Sequence, residues 1–426
     1  MTIERTILTT PETENTKAQP PKTEKEKTIE IGFPLIIIRT KRFAKFFDKL
    51  GAFRTSHYIS WIFVALVPFI AGIALYLVVN SLIALLSNPA VGEITRDLGP
   101  QGILMIPGLN PMLPIVYGWI ALVAAIAIHE GAHGIIARNV GFNVKSSGLL
   151  FFLIIPIGAF VDVDEEQIKK AKARPSLKVM AAGVGGNIVI GAICLMLLMV
   201  LVGGLSPAVN GVYINSVMEG MPAQEAGLMP RDVFISIDNV PINNNTDIQT
   251  IIGNKTAGDT VLVEVMRGDN WQQQYSTNVT LTISDNRTIM GITTQNLQTE
   301  ARLENYQTMS IERITMYIVP PTLAAGVVPY SDSLSPFYTH AIGPSWAIVA
   351  NTLFWLWFVN LNLAIFNALP IYPMDGGRIL DIALKRLMGN RLSEKTIRRI
   401  TLSVTLLCVA LIISTIALPF ILPYIL

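Results

Sequence analysis

The feature that most constrains this chain is a set of apolar runs, each long enough to cross a lipid bilayer. They are Tyr58 to Leu86, Pro114 to Gly141, Val179 to Val202, Ser345 to Leu369 and Leu402 to Leu422. About 20 apolar residues in a helix match a hydrocarbon core of about 30 Å, and in lipid every backbone polar group must be satisfied internally. Hydrophobic residues make up 51% of the chain and charged residues 15%, which excludes an ordinary soluble globule. The expected fold is an α-helical polytopic membrane protein with about five to six transmembrane helices. The net charge of +2 hides strong segregation along the chain and gives no basis for nucleic-acid binding. Cys194 and Cys408 lie inside apolar runs, with no CxxC pair and no nearby histidine, and read as small buried hydrophobes.

Basic clusters flank these runs, and lysine and arginine mark the cytoplasmic ends of membrane helices. Arg39, Lys41, Arg42, Lys45, Lys49 and Arg54 precede the first run, interleaved with Phe43, Phe46, Phe47 and Phe53. That pattern reads as an amphipathic segment on the cytoplasmic surface, with the N-terminus inside. Before it, the Thr, Glu, Lys and Pro composition reads as a disordered tail without the apolar core of a secretory signal. The boundaries follow: a cytoplasmic tail over 1–30, the amphipathic segment over 31–57, membrane core over 58–205, an extracytoplasmic domain over 206–300, a linker or re-entrant region over 301–344, and further membrane core over 345–426. Within the first core portion, Leu149 to Phe160 is too short and too β-prone for a span, and is expected as a hairpin or re-entrant element packed against protein. In 206–300, Val212 to Ile214, Val233 to Ile237, Val261 to Val265 and Val279 to Ile283 alternate like strands between Gly, Pro, Asn and Asp turns.

The second run carries His129, Glu130 and His133 in an HExxH pattern. Residues four apart share a helix face, so both imidazoles reach one metal ion while Glu130 projects beside them. The competing reading is a pair of buried histidines satisfied by hydrogen bonds. At about 1.5 Å per residue from Pro114, His129 lies about 22 Å into the core, nearer the cytoplasmic side. Ionisable groups at that depth usually face a water-containing cavity and act there. The third run begins with small residues, Ala181 to Gly186, and then an amide, Asn187; close helix packing alone accounts for the glycines equally well. The fourth run ends at Asn367, breaks at Pro370 and Pro373, and continues with Asp375, Gly376 and Gly377. Broken backbone at membrane depth is tolerated where it lines a cavity. This break returns Asp375 to the level of the two histidines as a third ligand, against the plainer reading of a helix cap.

With these residues in hand, the chain resembles the site-2 protease family of intramembrane zinc metalloproteases. The likeness rests on HEGAH, the Gly-rich start of the next span with its Asn, and N-x-x-P-x-x-x-x-D-G, in the same order across most of the apolar chain. It implies that His129, His133 and Asp375 hold one Zn2+ per chain, that Glu130 is the catalytic glutamate, and that Asn187 is the asparagine the family places near the site. Phe151 to Phe160 is similar to the family's membrane-associated β element, which holds an unwound substrate as an added strand. Gly211 to Ile283 resembles a PDZ domain, which would bind peptides or C-termini or obstruct bulky ectodomains. Val184 stands where the family often has Pro, and Arg231 where such PDZ domains usually have Gly.

Two imidazoles and a carboxylate leave zinc a fourth position for water, as in catalytic sites. Glu130 is then the base, and Asn187 either donates to the developing oxyanion or holds substrate backbone. The implied partners are transmembrane protein substrates and the lipid bilayer. The implied location is the cell membrane, with the PDZ-like domain outside. The rival readings are a catalytically silent PDZ scaffold and a transporter, and no inverted repeat supports the latter.

Overall fold

The computed structural model describes residues 29–102, 105–153, 155–268, 271–307 and 314–422. The tail expected over 1–30 therefore lies, up to residue 28, outside the described residues. Helices α1 (Ala44–Gly51), α2 (Arg54–Ser87), α3 (Pro89–Leu98) and α4 (Ile115–Asn139) are followed by α5 (Glu165–Lys170) and α6 (Ala173–Gly203). Among the described residues, five helices are long and apolar enough to cross a membrane: α2, α4, α6, Trp346–Ala368 and Glu394–Ile421. Each appears where an apolar run predicts it, because a run apolar on all faces can only be buried or set in lipid. The helix α4 follows Pro114, whose fixed φ suits a helix start, and stops before Gly141 at φ +86°.

The centre of the helical body is α6. Its small residues let three neighbours approach: a side chain at Gly185 would collide with Phe63 of α2, one at Gly186 would meet Ala132 of α4, and Gly191 lies under Trp357 and Asn360. The helix runs unbroken through Val184, which is fully buried.

Four antiparallel strands form a sheet beside α4: β1 (Ile29–Gly32), β2 (Leu35–Thr40), β3 (Val144–Phe152) and β4 (Ile155–Val163), in that order. The expected β element is thus the β3–β4 hairpin, longer at both ends. The expectation of tail and amphipathic segment is corrected over 29–40, which is a second hairpin. Ile29, Ile31 and Ile36 to Ile38 are β-branched, and pairing Leu35 with Phe152 and Thr40 with Ser147 gives them a sheet to join. Only α1 keeps the amphipathic form, burying Phe47 while Lys45 and Lys49 face out.

After α6, β5 (Leu205–Pro207) leads into β6 (Val212–Val217), α7 (Pro222–Glu225), β7 (Val233–Ile237), β8 (Val240–Pro241), α8 (Asn245–Gly253), β9 (Thr260–Arg267), β10 (Gln273–Thr280), β11 (Thr282–Ser284), β12 (Arg287–Ile289) and β13 (Ile292–Asn296). The main sheet has the order β10-β9-β7-β6-β13, with β8 on β7. Alternation puts Val261, Val263 and Val265 inward against Ile214, Phe234 and Ile248. Buried Asp232 is held by Arg267 at 2.6 and 3.0 Å.

The next stretch, with α9 (Thr299–Gln307) and β14 (Tyr338–His340) paired to β5, holds no helix of spanning length among the described residues. It packs as mortar: Leu303, Tyr306, Tyr317, Tyr330 and Phe337 share one core with Leu198 of α6, Tyr213 of the inserted domain and Phe354. Trp271 stacks on Phe337 at 4.9 Å. Burial pushes the phenols of Tyr306 and Tyr338 up to about 12, so both act as neutral packing groups. The chain ends with α10 (Trp346–Ala368), α11 (Asp375–Met388) and α12 (Glu394–Ile421), the last capped by Ser393 accepting from the Thr396 N–H.

Arg231 sits at φ +76°, a left-handed conformation that costs a residue with a Cβ about 1–2 kcal/mol. Its side chain donates to the Asp332 carbonyl at 3.5 Å, a long and exposed bond. After about 0.5–1 kcal/mol of extra chain entropy lost by glycine, Arg231→Gly should stabilise the inserted domain by about 0.5–1 kcal/mol. Slower hydrogen exchange of β6 and β7 amides in the full chain checks this.

Candidate metal centre

The helix α4 carries His129 and His133 one turn apart on the face that α6 covers, and both rings are buried. Their Nε2 atoms stand 3.2 Å apart. The other ring nitrogens are tied back: His133 Nδ1 lies 2.7 Å from the Val179 carbonyl of α6, and His129 Nδ1 lies 3.3 Å from the amide of fully buried Asn187. A carbonyl only accepts, so His133 holds its proton on Nδ1 and turns the Nε2 lone pair toward the centre.

Asp375 arrives from the far end of the chain as the first residue of α11. The glycines after it are required by close approach, since a Cβ at Gly376 would collide with the Ala368 carbonyl and one at Gly377 with the Ile371–Tyr372 backbone. The turn is held from α12, where Thr405 Oγ1 accepts the Tyr372 N–H at 3.0 Å, and by Arg378 donating to the Pro373 carbonyl at 3.0 Å. Asp375 Oδ2 then stands 3.2 Å from both Nε2 atoms. Glu130, beside them, accepts the Val161 N–H of β4 on Oε2 at 3.1 Å.

His129, His133 and Asp375 are the one group of three metal-ligating side chains found converging among the described residues. Their fit to an ion follows from spacing. Tetrahedral zinc with bonds of about 2.0–2.1 Å sets neighbouring ligand atoms about 3.3–3.4 Å apart, and all three pairs here stand at 3.2 Å. Asp375 Oδ2 is also buried, and with its proton on Nδ1 His133 offers that oxygen no donor, a costly state for a carboxylate without a cation. Gly183 of α6 faces the same point, where a side chain would collide with both Nε2 atoms. A cleft of about 500 Å³ opens next to these elements, bounded by Met180, Tyr372, Ile168, Ile382, Glu165 and Arg378.

The structure thus brings His129, Glu130, His133, Asn187 and Asp375 into one neighbourhood. Asn187 lies beneath His129 rather than on an open face of the site. Three contributors carry no sequence signal of their own: the Val179 carbonyl, the Val161 N–H, and Gly183, which looks like any packing glycine in a small-residue stretch.

Two histidines and an aspartate around a metal-sized gap, with a glutamate alongside, define a metallohydrolase type of centre. The profile described as Peptidase family M50 matches residues 117–412, so the chain belongs to Peptidase family M50, the site-2 protease family. Among similar proteins, an uncharacterized protein of Methanocaldococcus jannaschii is 26% identical over 384 residues, covering 86% of each chain. A Clostridium perfringens protein named "Putative zinc metalloprotease" is 24% identical over 67% of this chain and 92% of its own. A "Probable membrane metalloprotease, chloroplastic" of Arabidopsis thaliana is 22% identical over 63% of this chain and 71% of its own. Of solved structures, the PDZ domain of an SdrC-like protein from Listeria monocytogenes is 27% identical, covering 20% of this chain and 88% of that domain at a TM-score of 0.19.

Gly183→Ala should lower zinc affinity by about tenfold or more, because the added methyl enters the space the two Nε2 atoms face. Zinc content against free zinc concentration, with the melting temperature as a fold control, checks this.

Proposed function

We propose that the chain is an intramembrane zinc metalloprotease, one zinc per chain, that cleaves peptide bonds within or near the membrane segments of other proteins. The observation that carries this reading is the mutual 3.2 Å spacing of His129, His133 and Asp375 within a helical body of membrane-spanning type. A catalytically silent scaffold gains nothing from that cluster.

His129 and His133 through Nε2, and Asp375 through Oδ2, are the proposed ligands. Bound there, zinc supplies Lewis-acid activation of water and of the peptide carbonyl. Glu130 takes the proton of the attacking water and returns it to the leaving amine. Its Oε2 already accepts from the Val161 N–H, so the carboxylate is oriented and Oε1 is left to carry the proton. The edge of β4 lies beside Glu130 and suits an unwound substrate strand, whose backbone needs partners once its own helix opens. The neighbouring cleft at Met180 and Tyr372 is a route for water and products.

Asn187 is proposed as a positioning residue rather than an oxyanion donor. A metal-facing Nε2 on His129 leaves a proton on Nδ1, which needs an acceptor. Asn187 Oδ1 is buried with no other partner, and the amide turned with Oδ1 toward Nδ1 satisfies both atoms.

In the bilayer, the ends of α2 and α6 joined by the His57–Lys178 contact, and of α4 joined to Gly51 by Asn139, form one side with the basic clusters. That side is proposed as cytoplasmic, with the inserted domain outside. The inserted domain is proposed as PDZ-like, on its strand pattern and the place of β13 at the end of the sheet, which suits peptide addition.

Glu130→Gln should retain zinc and lose cleavage of single-span substrates by about 10²-fold or more, whereas Asp375→Ala should lose zinc. Full cleavage by purified Glu130→Gln protein refutes the base assignment. Asn187→Ala should weaken zinc binding about 10–100-fold; a drop in turnover at unchanged zinc affinity would restore the oxyanion role.

A further inference from the structure

We propose that the inserted domain is an N-glycosylated lobe, with saccharide on the side-chain amides of Asn254, Asn278 and Asn286 at the pole it turns away from the helices. The acceptor pattern Asn-x-Thr occurs at Asn244, Asn254, Asn278 and Asn286, always inside this domain, although more than half of the asparagines lie outside it. In extended chain, residues two apart share a face, so each amide is presented beside its threonine hydroxyl. Asn254, Asn278 and Asn286 are all exposed in the fold. Asn278 lies on β10, which ends the main sheet, with Thr280 exposed on the same face. Asn254 follows the last residue of α8, and Asn286 sits in the tight β11–β12 turn at φ +60°.

Position relative to the helices sets these three apart. The domain meets the helical body at one end of its sheet, where Met266, Trp271 and Leu297 join the core that contains Phe337 and Phe354. Asn278 pairs with Leu262, five residues before Arg267 on β9, so it stands about 17 Å from that end at about 3.3 Å per residue. Thr288 Oγ1 donates to the Lys255 carbonyl at 3.0 Å and the Gly258 N–H to the Leu281 carbonyl at 2.9 Å, which brings the surroundings of Asn254 and Asn286 to the same far pole. A sugar is bulky and needs water, which that pole offers and the packed end does not. Asn244 belongs to the packed end. Its Oδ1 accepts the Asp247 N–H at 3.1 Å in the capping box of α8, and the Asn245 N–H donates at 2.9 Å to Asn296, next to Leu297 of that core. A sugar there would crowd the packed end, so Asn244 is left bare in the folded protein.

The reaction joins Nδ2 to the anomeric carbon of a saccharide carried on a polyprenyl phosphate. The carbon–oxygen bond to the carrier breaks, the phosphate leaves with the electron pair, and the amide gives up one proton. Transfer precedes folding, because the fold occupies the acceptor hydroxyls. Thr256 Oγ1 donates to Asp259 at 3.0 Å, Thr288 Oγ1 to the Lys255 carbonyl, and Thr280 Oγ1 lies 3.2 Å from Thr260 Oγ1. The fold then has only to accommodate the product, as the three exposed amides do. On β10 the sugar also keeps an outer strand from pairing with another chain.

Glycosylation there rests on the extracytoplasmic placement proposed above and not on peptidase activity. The test isolates the full chain from the membranes of its own host and reads the peptide around each acceptor by mass spectrometry with electron-transfer fragmentation. Peptides with Asn254, Asn278 and Asn286 should each carry a saccharide mass on the asparagine, and the Asn244 peptide none. Thr280→Ala should strip Asn278 while Thr280→Ser keeps it modified, a contrast that reads the acceptor pattern and not the fold. Bare asparagines at all three positions overturn the proposal, and sugar confined to Asn244 does so as well. Placement is read separately on intact cells with a membrane-impermeant maleimide, using exposed Glu219→Cys in a chain with Cys194→Ala and Cys408→Ala. Labelling at 219 with bare asparagines overturns the modification alone. Labelling that occurs only after lysis overturns the placement itself.

Discussion

Three side chains able to hold one metal ion and a glutamate beside them, set within a helical body of membrane-spanning type, are the constraint to which the rest of this structure answers. Separate ionisable groups buried among apolar helices are costly, and three donor atoms 3.2 Å apart are an arrangement in which one shared cation would repay them. Reaching that spacing requires backbones to approach closely. The helix α6 does this with Gly183 against the histidines and Gly185 and Gly186 against α2 and α4, and α11 does it with Gly376 packed on the end of α10. The same residues that look like packing glycines are therefore what allows the site to exist.

Much of this was legible in the sequence, for identifiable reasons. Spans of bilayer length are apolar on all sides, so length alone finds them. The i, i+4 spacing of His129 and His133 survives any detail of packing, and a proline-broken helix end followed by Asp-Gly-Gly marks the return of a third donor to the same level. The backbone contributors were not legible, because a Val179 carbonyl or a Val161 N–H is chosen by geometry and not by residue type. Nor was the β1–β2 hairpin, whose Ile-rich strands find their partner in β3 more than a hundred residues later. The basic residues that follow drew the eye to an amphipathic segment, which survives only as α1. Asn187 is singled out by the sequence, but its place beneath His129 depends on helix rotation that sequence does not record.

The stretch between the inserted domain and α10 had the weakest pattern and has a plain structural role. Its aromatic residues fill the space between Tyr213 of the domain and Leu198 and Phe354 of the helices. Trp357 donates to the Tyr317 carbonyl at 3.1 Å and Asn351 to the Tyr330 carbonyl at 2.7 Å, so the irregular backbone is partly satisfied from α10. Irregular chain of this kind has no period to read, yet it fixes the domain over the helix ends.

The central claim is tested most directly by X-ray absorption at the zinc edge on the purified full chain. It predicts one zinc per chain with two imidazole nitrogens and carboxylate oxygen at about 2.0–2.2 Å and no sulfur, and loss of that first shell in His133→Ala. Zinc that stays far below one equivalent at saturation, or a first shell unchanged by His133→Ala, would contradict it.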